Sequence, residues 1–456
     1  MVADFIHKGL WWLPGNEENK LEGTLHFTPN EGVTLDLTGS FMDIKDAMSH
    51  SNWEIILGFT VTGKEVTLLH CQSFGISLHM PGLPTSKVYA KIVFIGKHFL
   101  TMSQIIFNDI SIRYSLIDKW LNLSGFTLEL FNAEKKVIIT YQLPKPIESM
   151  IDEELSILIL FNVMLPLSIT TQSEIIQTSE FQIKPNEPKK FIFFQNYNQY
   201  LQNLLSLATQ KKVYPISIRG VAHGKEIDIF YKNTSYCSEE EKIESSYDLL
   251  FRYDHVDDRF GEFLRRWFDI SKLFEPVLSL YFGTIYNSGM YLEYKFLTLC
   301  QAIEAYHRRI SDGVYQEKDS FTREIYPLLI KAIPDNIDKH YRDSIKSRLK
   351  YLNEFSLRKR LKEIIERHNA VLLKLISNPT SIISTIVDTR NLFTHYDGEY
   401  QPQSIDIEKL YLMSERIKFI LEVCFLHHLG FKDSEIILII DETQKYDYLR
   451  RKKAEV

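Results

Sequence analysis

The chain has 456 residues, of which 45% are apolar and 25% charged, and a formal net charge of −6. This is the composition of folded globular protein, which excludes a disordered or collagen-like chain, and at ~150 residues per domain it predicts two or three domains. The negative charge excludes a broadly basic nucleic-acid coat.

The first residues, Met1 to Lys8, contain no apolar segment of the signal-peptide kind. Short alternating runs follow, each bounded by Gly, Pro or Asn: Thr24–Phe27, Val33–Leu37, Glu65–Leu69 and Lys91–Ile95. Period-two alternation predicts antiparallel strands. Eleven of the 19 glycines precede residue 130, as a turn-rich β region requires. Further strands are predicted at Phe126–Phe131, Lys136–Gln142, Leu155–Phe161, Val213–Arg219 and Glu226–Tyr231, with one helix at Asn198–Thr209. Leu155–Ile169 is the most apolar stretch, but Ser156, Asn162 and Pro166 interrupt it. It is also shorter than the ~20 residues needed to cross a bilayer. Residues 1–240 therefore read as a mainly antiparallel, sandwich-like β domain. Thr234–Ser246 reads as a polar linker.

Beyond it the period becomes helical. Helices are predicted at Asp258–Tyr281, Tyr291–Ile310, Ser320–Ala332, Asp338–Leu352, Ser356–Ile376, Thr380–Tyr396 and Ser404–Leu429. Residues 250–456 read as an α-helical bundle, so the fold class is α+β with two domains. From Lys339 to Lys374 there are eleven basic residues against four acidic ones. Such a stretch either meets phosphates or forms a solvated helix face. The cysteines Cys71, Cys237, Cys300 and Cys424 lie too far apart for a zinc ribbon or disulfide framework. They predict a reducing, cytoplasmic setting.

Several motifs fail on context. Gly58-Phe-Thr-Val-Thr-Gly63-Lys64-Glu65 resembles a phosphate loop, but ends in Glu and lies between two strands. It reads as a hairpin turn at Thr62-Gly63-Lys64. Glu304-x-x-His307 is half of a di-iron signature with no second half. Cys424, His427 and His428 sit on an apolar helix, where packing accounts for them better than a metal.

One constellation survives. Thr389-Arg390-Asn391-Leu392-Phe393-Thr394-His395-Tyr396 contains Arg-x4-His, a spacing that composition alone would supply about 0.5 times. Its place in the helix adds weight. Ile382/Ile386 and Ile383/Val387 form a buried stripe whose rows continue into Arg390/Thr394 and Asn391/His395. A guanidinium facing inward requires a partner. That partner is a carboxylate, with Glu304 or Asp388 in reach, a ligand phosphate, or both. A bridge to either carboxylate would merely fix helix register.

The sequence Arg390-Asn391-x-x-x-His395, after the helix Phe296-Leu-x-Leu-x-Gln-Ala-Ile-Glu304-Ala-Tyr-His-Arg308, resembles the HEPN ribonuclease superfamily. It is similar more narrowly to the ApeA-like HEPN proteins of bacterial anti-phage defence. Their N-terminal texture resembles Leu10-Trp11-Trp12-Leu13-Pro14-Gly15, Leu21 to Leu25, Gly58 to Cys71, Ile95 to Phe99 and Leu116 to Trp120. The resemblance implies a metal-independent endoribonuclease with no cofactor. Arg390 and His395 match the two signature positions, Asn391 the polar residue after the arginine, and Glu304 the acidic residue of the earlier helix. The chemistry suits them: imidazole moves protons near neutral pH, and guanidinium holds two phosphate oxygens. One histidine per chain leaves one proton-transfer role short, and the resemblance implies a homodimer through the helical domain that supplies both. RNA, whether transfer RNA or another host or phage species, is the implied substrate, and a phage-derived trigger sensed by the β domain the implied regulator. No membrane partner is expected. The alternative is a catalytically inactive HEPN module that binds RNA or protein.

Overall fold

The four alternating runs lie in four of six strands that close on themselves, and the other two, the first and fourth, were not predicted. The six are β1 (Phe5–Trp12), β2 (Leu21–Thr28), β3 (Gly32–Thr38), β4 (Ser51–Thr60), β5 (Glu65–Ser77) and β6 (Thr85–Ile95). The computed structural model describes residues 4–42, 49–78, 81–131, 135–166, 171, 173–233, 236, 243, 245–395 and 406–453. The linker predicted at Thr234–Ser246 falls largely outside the described residues, as does Tyr396.

Strand order is β6-β3-β2-β1-β4-β5, all antiparallel, and β5 pairs with β6 to complete a barrel. The expected antiparallel β domain is present, and this closure leaves no open edge within the six strands. Register explains the interior. Leu25 lies opposite Leu35, and Leu35 opposite Val88, so one apolar face from each strand points inward. Trp11, Leu25, Leu35, Ile56, Leu68 and Val93 are fully buried there. Trp11 lies across from Gly58, and a Cβ on Gly58 would come within 2.2 Å of the indole. The phosphate-loop look-alike is the β4–β5 turn. Gly63 takes φ +83°, and the Lys64 amide donates to Thr60 Oγ1 at 3.0 Å.

The sheet then extends from the second half of β6, where Asp228 pairs with Ile95 and Tyr231 with Ile92. Beyond the Lys225–Tyr231 strand come Pro215–Ala222, Asp109–Tyr114, Ile176–Pro185, Leu155–Met164 and, at the far edge, Ile147–Met150. The helix in this region begins at Phe191, not at Asn198 as its periodicity predicted, because Phe191-Ile-Phe-Phe is a continuous apolar run without readable period. Its buried Asn198 accepts from the Tyr114 hydroxyl at 2.6 Å and donates to the Tyr231 hydroxyl at 2.7 Å.

The chain divides into two compact units, Met1–Arg265 and Arg266–Val456. The helix predicted over 258–281 is two helices, Phe260–Leu273, which contains the division point, and Glu275–Tyr286 in the second unit. Pro276 starts the second, where its missing amide costs nothing. The Leu292–Ile310 helix packs against Glu275–Tyr286, Leu357–Arg367, Pro379–His395 and Ile407–His428. The predicted 356–376 helix stops at Arg367, and two helices absent from the prediction, Asp433–Glu442 and Asp447–Arg451, follow Ile407–His428. No helix among the described residues is long and apolar enough to cross a membrane.

Candidate active site

The helix carrying the Arg-x4-His spacing spans Pro379–His395. Ile382, Ile383 and Ile386 are buried, as the stripe predicted, while its fourth member, Val387, is only half-buried. The stripe then moves to Phe393, which is buried with its ring edge-on to Phe296 at 6.1 Å. Arg390 is only half-buried, and Asn391 and Thr394 are exposed. The reading of Arg390 as an inward guanidinium is therefore corrected: it stands at the rim of the stripe. Helix geometry gives the reason. Two turns return Phe393 to within about 20° of Ile386, whereas four residues carry Arg390 about twice as far round.

The carboxylates expected to hold Arg390 are occupied elsewhere. Glu304 pairs with Arg308 at 3.1 Å, and Asp388 with Arg358 at 3.4 Å. Neither register bridge is present, which also corrects the assignment of Glu304 as the clamp on Arg390. Arg390 and Glu304 nevertheless both act on one group, Cys300. Burial pushes the Cys300 thiol up, while the Arg390 charge pulls it down and the Glu304 charge pushes it up. Among the described residues, the Arg390 guanidinium makes one hydrogen bond, from Nη1 to Asn391 Oδ1 at 3.2 Å. Its carbonyl accepts from Thr394 Oγ1 at 2.7 Å, which steadies the last turn. His395 ends the helix, five positions and ~7.5 Å of rise beyond Arg390. Its side chain lies outside the described residues.

The half di-iron signature proves to be part of a polar network that periodicity did not reveal. His307 is buried, with Nε2 at 2.9 Å from Glu363 Oε2 and Nδ1 at 3.0 Å from Arg360 Nη1. Guanidinium can only donate, so Nδ1 accepts and the ring proton sits on Nε2, facing Glu363. His307 is thus neutral, and burial holds its pKa below the usual histidine value. Arg360 is itself buried and donates to the Phe355 carbonyl at 3.0 Å. Gly313 makes room for it at φ +58°, where a Cβ would come within 2.5 Å of Nη1. Arg308 then links Glu304 to Glu354, at 3.1 and 2.7 Å. The basic stretch divides accordingly. Arg358, Lys359 and Lys362 pair with acids. By contrast, Lys339, Arg348 and Lys350, on and just after the Lys339–Leu349 helix, are exposed with no ion pair among the described residues.

No group of three or more His, Cys, Asp or Glu among the described residues is arranged to hold a metal ion. Cys424 is fully buried and hydrogen-bonded with Tyr306, whose hydroxyl lies 3.0 Å from His428 Nε2. His427 stacks on His368 with ring centres 4.5 Å apart.

Residues 6–267 match the family described as ApeA N-terminal domain 1, and residues 297–435 match Apea-like HEPN. No curated protein and no solved structure matches the chain.

Proposed function

Because the chain belongs to the ApeA-like HEPN family, a family of nuclease-type anti-phage function, we propose that it is a metal-independent endoribonuclease whose chemistry is carried by Arg390, Asn391 and His395. The observation that supports this reading is the Arg390 guanidinium. It is half-exposed, has no carboxylate partner among the described residues, and stands beside Asn391 on the helix that ends at His395. A cation left without an acid can take a phosphate.

The reaction needs few groups. RNA supplies its own nucleophile, the 2′-hydroxyl. His395 removes the proton from that hydroxyl as the 2′-oxygen attacks phosphorus. Arg390 holds the two non-bridging oxygens as charge develops on the phosphorane. Asn391 fixes the Arg390 fork through the Nη1–Oδ1 bond. The 5′-oxygen leaves with a proton from a second imidazole, the His395 of another copy paired through the helical unit. The products are a 2′,3′-cyclic phosphate and a 5′-hydroxyl. The exposed Lys339, Arg348 and Lys350 would steer the RNA backbone. In the β unit, a cleft of about 920 Å³ lined by Lys8, Glu22, Asp36, Phe59 and Lys87 would receive a phage-derived trigger.

Purified chain incubated with RNA in excess EDTA tests the proposal. Cleavage should persist, end in cyclic phosphate by mass spectrometry, and vanish in His395→Ala. A 5′-phosphate product, or full cleavage by His395→Ala, overturns it. RNA binding without cleavage by the intact chain favours the inactive binding module.

A further inference from the structure

Phe126–Phe131 and Lys136–Tyr141 form an antiparallel hairpin that joins no other sheet. Its register sets Leu130 opposite Val137, Leu128 opposite Ile139, and Phe126 opposite Tyr141. Opposed residues share a face, and so do alternate residues along a strand. These six apolar side chains therefore lie on one face, and two others, Phe131 and Ile138, on the opposite one. The other face carries Thr127 with Thr140, Glu129 with Ile138 and Phe131 with Lys136, so charge and hydroxyl alternate there with two apolar side chains. The sequence pattern is that of a half-buried strand pair, yet the apolar side is in water. Leu128, Leu130, Val137 and Ile139 are 59%, 61%, 58% and 62% exposed.

The hairpin is nonetheless held at its base. The Gln177 side chain accepts from the Gly125 amide at 2.9 Å and donates to the Leu123 carbonyl at 2.8 Å. The Gln142 amide donates to the Gly125 carbonyl at 2.9 Å. A Cβ on Gly125 would lie 2.1 Å from the Gln142 carbonyl oxygen, so only glycine closes the base. A two-stranded sheet is marginal in water unless its apolar face is covered, and an exposed apolar patch of this kind marks an interaction site.

The face itself says what covers it. It carries no charge, so its partner must be flat and apolar. A second copy of the chain presents such a surface, and two hairpins related by a two-fold axis stack at the ~10 Å spacing of packed sheets. With Phe126 38% exposed and Tyr141 half-buried, the six side chains offer at most about 600 Å² per copy and ~1,200 Å² in all, the lower bound for a stable interface. Glu129 and Lys136 lie on the opposite face, so the approach brings no like charges together. We propose that the chain self-associates through this hairpin, with the Phe126/Leu128/Leu130 and Val137/Ile139/Tyr141 faces of two copies packed into a four-stranded sandwich.

Sedimentation of the full chain at micromolar concentration tests this. Leu128→Glu with Ile139→Glu should weaken self-association at least tenfold, read as a higher concentration needed for assembly, whether or not the helical units also pair. Thr127→Glu with Thr140→Glu, on the other face, should leave the mass unchanged. If the first variant loses its cooperative melt, Leu128→Thr with Ile139→Thr keeps β propensity and should weaken association at least tenfold. Ile139→Cys should form an intermolecular disulfide on oxidation, and Thr140→Cys should not. Equal association strength for the apolar-face variants and the unaltered chain, or equal cross-linking from both faces, overturns the proposal. RNA cleavage is a separate readout, so losing one result leaves the other standing.

Discussion

Arg390 is the residue at which packing and chemistry can be separated. It is half-buried, its one hydrogen bond goes to an exposed neighbour, and Phe393 fills the buried stripe in its place. Arg390→Ala should therefore change stability by less than about 0.5 kcal/mol, the range of ordinary surface substitutions. RNA cleavage should be lost in the same protein. Arg390→Lys should restore charge without the bidentate fork and recover only part of the activity. Equal cleavage by the Lys variant would show that charge alone suffices. Glu422 is the opposite case. It is fully buried and accepts from the hydroxyls of Tyr281 and Tyr446 at 2.7 and 2.8 Å, and from Lys445. Burial lowers the Lys445 pKa to about 8, with the Glu422 charge opposing that shift. Glu422→Ala would remove the carboxylate bonded to Lys445 and the acceptor of two buried hydroxyls, at a cost of roughly 3–5 kcal/mol. Chemical denaturation measures it, and a loss below ~1 kcal/mol would mean the site rehydrates.

At the scale of elements, period and punctuation carried most of the reading. β2, β3, β5 and β6 contain the alternating runs that predicted them, and Pro379–His395 and Ile407–His428 follow their apolar rows. The misses have local causes. Pro276 splits a helix whose periodicity continues through it, and Phe191-Ile-Phe-Phe starts a helix with an unpatterned apolar run. Barrel closure depends on one such local choice. Gly58 leaves room for Trp11, and Gly58→Val would drive β4 off the indole. That substitution should cost at least ~2 kcal/mol, as overpacking a filled interior does. An unchanged denaturation midpoint would show that the barrel relaxes freely around Trp11.

At the scale of the molecule, the histidines of the helical unit set a dependence on acid. Burial, the largest cause in each case, lowers His307, His368, His427 and His428 below the ordinary histidine pKa of 6.5, His368 to about 4. The unfolded chain takes up protons at about 6.5 that the folded chain refuses, so the unfolded state gains as pH falls. Stability is fully present above that value and is lost progressively toward pH ~4, before most carboxylates titrate. Thermal melts between pH ~7.5 and ~5 should show a falling midpoint. His307→Gln should shallow that fall, and an unchanged slope would remove His307 from the account.

The sequence by itself determined the two textures, the order of β before α, most elements, and the Arg390–His395 spacing that led to the family. Those features are local: period, turn residues and short motifs act within a few positions of one another. Only the tertiary structure decided that Arg390 stands at a rim, that Glu304 answers to Arg308, and that His307, Arg360 and Glu363 form one network. Arg360 and Glu363 lie more than 50 positions from His307, and charges that far apart along a chain have no periodic relation before helices pack. Glu422, a lone charge in the apolar run Phe419-Ile-Leu-Glu-Val-Cys-Phe-Leu, is a group the sequence reading passed over. Which partner it finds depends on packing, because burial makes the charge costly and only the neighbouring helices bring Lys445 and two tyrosines to it.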